Sequence, residues 1–236
     1  MKLEGPFNQY LGRLLAKSNN PEELLEEQIL ELKDRTLQLN SAREKMSKGY
    51  LNVLEALSEV FPEIDLADPN LRDSHNRMAR ALIEVCSGLG SKNRDAINTT
   101  FPAGNYDEMI ILKNIDFTSL CSHHFFPFSG VAHIGYLPDT KGGGKVLGLS
   151  KLARILDVHA QRPQLQERLC QSIMEALKEE LKPSGVMVVI EAKHGCLNCR
   201  GAKKREASMI TSALDGKFRD DDKVRAEFLS LVNVKN

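Results

Sequence analysis

The segment CSHHFFPFSG, residues 121–130, sets one thiol and two imidazoles within four residues of a chain that holds six histidines in all. About 70 residues further on, HGCLNCRG (194–201) offers His194, Cys196 and Cys199. Thiolate and imidazole are the ligands zinc prefers, and a catalytic zinc needs three of them with a fourth position left open. Cys121, His124 and Cys196 compose such an open set, whereas adding Cys199 closes it as a structural Cys₃His site. The CxxC spacing by itself favours the closed version. The strand-like run VMVVIEAKH, leading straight into Cys196, favours the open one, because residues three apart on an extended chain face opposite ways. His123 and His194 stand beside these ligands, where an imidazole moves protons near neutral pH. The plain alternative for each is a hydrogen-bonded core histidine.

A second constellation suits anions. In GLSKLARIL, Ser150 falls where a helix N-cap belongs, Lys151 opens the helix and Arg154 comes one turn later. Free N–H groups, the helix dipole and two cations at one terminus cradle phosphate. Arg77 and Arg80 in NRMAR form another pair, and Arg200 lies just past the cysteine segment. Cations at helical spacing are most often simply solvated, so the weight lies in three such groups accompanying a metal cluster. In PQLQERL, Gln166 and Glu167 open a long helix, an amide and a carboxylate suited to reading the N–H edge of a base.

The elements that must carry these residues change character along the chain. Pro21 opens a helix capped by Asn20, with Leu25, Ile29, Leu32 and Leu39 along one seam. Further helices are predicted over 41–60 and 71–87, and the first twenty residues read as loosely structured. MIILKNIDFTSL, FSGVAHIGYLP, GVMVVIEAKH and ASMITSAL read as strands. Helices over 151–160 and 163–182 are interleaved with them, the second carrying Leu165, Leu169, Ile173, Leu177 and Leu181 on one face. A terminal helix comes last, with acids at its start. Helices first, then hairpins interleaved with helices, predict an α+β domain with an antiparallel sheet. The division expected is a helical extension over 1–68 and a catalytic domain over 69–236.

Bulk properties exclude several classes. Lys plus Arg and Asp plus Glu both number 32, so no global field recruits nucleic acid or an anionic membrane. No apolar run approaches the roughly 18 residues of a membrane span, and MKLEGPFNQYLGRLL lacks a signal peptide's apolar core. Five cysteines, an odd set, read as reduced thiols of a cytoplasmic protein.

Taken together, the CxHH segment ending in PFxG, GLSK with its nearby arginine, QRPQxQERL, EAxHxCxxxRG and TSALDGKF resemble GTP cyclohydrolase I, in order, over roughly residues 70–220. The resemblance implies a tunnelling fold: an antiparallel four-stranded sheet with helices on one face, assembled as pentamers stacked into a decamer with shared active sites. It implies zinc on Cys121, His124 and Cys196, proton transfer by His123 and His194, and guanine held by Glu167 with Gln166. Ser150, Lys151, Arg154, Arg200, Arg77 and Arg80 match triphosphate positions. The implied reaction opens the imidazole ring of GTP, releases formate and rebuilds the remainder as 7,8-dihydroneopterin triphosphate. Three departures from the family pattern stand out: Ser122 for the usual Glu, Ser74-His75 for Thr-Pro, and Cys199 at a position commonly apolar or small. Ser122 leaves open a homologue that binds nucleotide or pterin without turnover. A different tunnelling-fold enzyme of deazapurine metabolism, such as a nitrile reductase, is the remaining alternative.

Overall fold

A computed structural model describes residues 21–91, 93–97 and 99–233, and the chain divides into two units, Met1–Ile83 and Glu84–Asn236. The expected border at residue 69 falls in the turns before the second helix. In the first unit, helix α1 (Pro21–Val60) runs unbroken for 40 residues, where the sequence predicts two helices. Asn40 and Ser41 cost a helix interior only a few tenths of a kcal/mol each, and no proline interrupts before Pro62. Pro62 ends it, because a proline disfavours helical geometry at the residue before it. Asp65 and Asp68 then accept from the backbone N–H two residues on, at 2.8 Å each, and turn the chain into α2 (Ser74–Val85). Ser47, 8% exposed, donates to Asn76 Oδ1 at 2.7 Å and fixes α1 on α2. The Asn20 cap and the side chains of Leu25, Ile29 and Leu32 lie outside the described residues; Leu39 is exposed.

The second unit begins with a single turn, α3 (Asn93–Ala96), and two three-residue strands, β1 (Thr100–Pro102) and β4 (Lys145–Leu147), which pair with each other. The main sheet holds β2 (Ile110–Cys121), β3 (Pro127–Leu137), β6 (Gly185–His194) and β7 (Met209–Gly216), all antiparallel in that order. A two-residue strand, β5 (Pro163–Gln164), adds a parallel edge to β2 that the sequence did not predict. Helices α4 (Leu149–Ala160) and α5 (Gln166–Leu181) cover one face. Their Leu152, Ile155, Leu156, Leu169, Ile173 and Leu177 are buried against Ala132, Ile134, Tyr136, Val186, Val188 and Ile190 of the sheet. Residues of opposite parity, Leu137 and Met187, face the other way and meet Phe218 and Phe228, the latter on the terminal helix α8 (Asp222–Asn233). Between them lie the one-turn helices α6 (Gly195–Asn198) and α7 (Lys217–Asp220). No helix among the described residues is long and apolar enough to cross a membrane.

Gly130 of the PFSG segment pairs with Ala192 in the ladder between β3 and β6. A Cβ there would press into the carbonyl oxygen of Glu191 and lie 2.6 Å from the Cα of Ala192, both backbone atoms with no rotamer to relax into. Gly130→Ala is therefore expected to cost about 3 kcal/mol, lowering Tm by roughly 10 °C for a chain of this size. Calorimetry showing an unchanged Tm would mean that the strands separate there without penalty.

Candidate active site

Strands β2 and β6 end on either side of the start of β3, and the segments just past their ends build the candidate site. Cys121, 3% exposed, closes β2. The chain then makes one helical turn: the Phe125 N–H donates to the Cys121 carbonyl at 2.9 Å, with Phe125 at φ 56°. The Cys121 N–H donates to Phe126 O at 2.8 Å and starts β3. On the other side β6 stops at His194, and α6 lifts Cys196 back over the sheet end. The result is a group of Cys121, His194 and Cys196 whose ligand atoms all lie within 4.8 Å of one another, the only such group among the described residues. Ligands on one tetrahedral zinc sit about 3–4 Å apart, so these side chains fit a metal with small rotations.

Burial, and next the neighbouring Cys121 thiol, push the Cys196 thiol above its ordinary pKa, while Arg200 works the other way. A bound cation reverses that balance, since metal binding takes the thiolate form. The His194 ring stacks on Phe128, 4.6 Å between centroids and 3° from parallel. Burial holds its imidazole below the usual range, and the Glu167 carboxylate nearby opposes that. His194 Nε2 lies 2.8 Å from Gln166 Oε1.

The other residues singled out by type and spacing are more scattered. His123 and His124 are exposed on the turn after Cys121, rings 6.4 Å apart, and His124 stands outside the Cys121–His194–Cys196 group. Glu167 is exposed in the first turn of α5. Gln166 is 1% exposed, and its amide nitrogen donates to Ile190 O, Met209 O and Thr211 Oγ1. Its amide hydrogens are thus committed within the chain. Ser150 does not cap α4: the helix begins at Leu149, Gly148 is the extended cap residue, and Ser150 lies exposed in the first turn. Lys151 is half-buried and Arg154 exposed on the same helix, and Arg200 is exposed just after α6. Arg77 and Arg80 belong to the first unit. There Arg77 donates to Asn70 O and Ser74 Oγ, and Arg80 lies 4.0 Å from Asp73 Oδ2.

Cys199 also differs from its expected setting. The strand does not continue through Cys196; α6 intervenes, and Cys199 ends exposed with its thiol donating to Gly195 O at 2.8 Å. Position 122 acts through its backbone, the Ser122 N–H donating to Gln164 O at 3.0 Å. Gln164, 6% exposed, does not stand out in the sequence, yet its amide donates to Ser119 Oγ and His159 O beneath the site. A polar residue held between Pro163 and Leu165 is the available signal.

The family model for GTP cyclohydrolase I matches residues 47–233. A GTP cyclohydrolase 1 of Thermoanaerobacter pseudethanolicus is 46% identical over 193 residues, 82% of this chain and 98% of that protein. One from Thermobifida fusca is 43% identical over 188 residues, covering 80% and 87%. One from Streptomyces avermitilis is 49% identical over 165 residues, covering 70% and 80%. A solved archaeosine synthase QueF-like chain aligns with 46% of this chain and 93% of its own at 20% identity and a TM-score of 0.37, too low to bear on the assignment. With a match that takes in the thiols, the imidazoles and both helices beside them, the chain belongs to the GTP cyclohydrolase I family.

Proposed function

We propose that this protein converts GTP and water to 7,8-dihydroneopterin triphosphate and formate, using zinc held by Cys121, His124 and Cys196. The observation that carries the reading is the convergence of two thiols and an imidazole at the sheet end, with a carboxylate beside it. Cys121 and His124 sit three apart on one hydrogen-bonded turn, the spacing at which side chains are neighbours. His124 is exposed and swings toward Cys121 at little cost. A bound zinc supplies Lewis-acid activation of water for attack at C8 of the purine. His194, half-buried beside the thiols, takes up and returns the proton, and His123 on the outer turn exchanges protons with solvent. Glu167 accepts from the N–H edge of guanine.

The N-terminus of α4, with Ser150, Lys151, Arg154 and, from the cysteine segment, Arg200, receives the triphosphate. A triphosphate carries about four charges, more than one helix terminus and its cations balance. Arg77 and Arg80 supply the remainder from a neighbouring subunit of a decamer built of two pentamers, in the cytoplasm. Exposed Leu30, Leu37, Val53 and Val60 on α1 give such an assembly apolar surface to bury.

Incubation of the purified protein with GTP and zinc, coupled to mass spectrometry, is expected to show formate and 7,8-dihydroneopterin triphosphate in equal amounts. Light scattering is expected to give about ten times the 26.4 kDa chain mass. Tight GTP binding with no product from a zinc-loaded sample would replace this reading with that of a non-catalytic binder.

A further inference from the structure

We infer that Gln166 is a positioning residue that dictates which nitrogen of His194 carries the proton, holding hydrogen on Nε2 and leaving the lone pair on Nδ1. A glutamine amide offers two N–H donors and one oxygen that only accepts. Gln166 is 1% exposed, so these groups must be satisfied inside the chain. Its nitrogen meets Ile190 O at 3.1 Å and Met209 O at 2.9 Å, two carbonyls that only accept. Thr211 Oγ1 completes the set at 3.1 Å. Reversing the amide would press its oxygen against both carbonyls and turn its donors away from them, so one orientation survives. The amide oxygen therefore points at His194 Nε2, 2.8 Å away. Nε2 must supply the hydrogen. A neutral imidazole has one N–H, which leaves Nδ1 bare.

The ring plane is set independently. Phe128 lies 4.6 Å from the His194 ring and 3° from parallel, so the ring cannot turn about its hydrogen bond without losing the stack. Gln166 sits at the start of α5, and its contacts reach β6 at Ile190 and β7 at Met209 and Thr211. One side chain thus fastens the helix that carries Glu167 to the strand that ends in His194. In metal sites the hydrogen bond at one histidine nitrogen sets tautomer and orientation for chemistry at the other. The consequence for turnover rests on the reaction proposed above; the tautomer does not.

The test uses the 236-residue chain as isolated, with ring-¹⁵N histidine, in magic-angle-spinning NMR. His194 is assigned by its absence in His194→Gln. A one-bond proton on Nε2 and none on Nδ1 is expected for the wild type. Gln166→Met, apolar and nearly equal in volume, is expected to lose that single tautomer, with kcat falling about 10- to 100-fold while KM for GTP stays within about twofold. A bare Nε2 in the wild type, or an unchanged tautomer in Gln166→Met, overturns the inference. If Gln166→Met does not fold, the wild-type spectrum alone decides. The expected tautomer in a protein that never turns over GTP would sink the proposed function and leave this inference standing.

Discussion

Cys121→Ser and Cys196→Ser are each expected to fall below detectable turnover and to be purified without zinc. Both sulfurs belong to the group whose ligand atoms lie within 4.8 Å of one another, with Cys121 almost wholly buried. A serine hydroxyl keeps the shape but does not ionise near neutral pH, so the site loses one of the charges that hold the cation. In the proposed open site of three protein ligands, losing one leaves too few to retain the metal against buffer. Elemental analysis and formate release check the two halves of this expectation separately. Cys199→Ser is the internal control. Its thiol is exposed and turned toward Gly195 O, so zinc and most of the activity are expected to remain. Loss of zinc from that variant would establish a closed four-ligand site, and full zinc in Cys196→Ser would remove this thiol from the metal altogether.

Removing the two imidazoles one at a time is expected to give opposite signatures. His194→Ala is expected to keep zinc and lose about 10²- to 10⁴-fold in kcat, the range for a general acid–base group. His124→Ala is expected to lose the zinc itself. The contrast matters because His194, not His124, stands within the group that joins both thiols. An empty site in His194→Ala, with zinc retained in His124→Ala, would exchange the two roles. Thermal unfolding of each variant separates lost chemistry from lost structure, since His194→Ala also removes a ring stacked on Phe128.

The parts of the fold that were legible in the sequence are those where burial repeats with a period. Leu169, Ile173, Leu177 and Leu181 were legible because a helix packed along its length must place an apolar side chain on every turn, and all four are at most 3% exposed. The four long strands were legible as β-like runs, β6 as a continuous apolar one because both of its faces are covered. The join of α1 was not, because Asn40 and Ser41 weaken a helix without breaking it, and only its neighbours decide. At the site, ligand chemistry singled out Cys121 and Cys196, but pairwise spacing in sequence carries no information on which imidazole meets them. Gln166 shows the limit most clearly. An amide at a helix start reads as a group offered to a ligand. Here the start of α5 abuts the backbones of β6 and β7, and the amide is consumed by their carbonyls.

The two-residue pairing of β2 with β5 bears on how this chain tolerates changes of length. Leu120 and Cys121 pair with Pro163 and Gln164, and Ser122 donates to Gln164 O, so the thiol and the segment leading to Glu167 share one backbone register. One residue inserted between 161 and 164 would turn Gln164 to the opposite side, unseating it from Ser119 and His159. It would also displace the start of α5 by about 3.3 Å along the chain. Among the described residues, the turn over 139–144 carries no such tie to β2, and its tip at Lys141 and Gly142 is exposed. Insertions are absorbed at that turn, whereas the five residues before α5 behave as a spacer of fixed length.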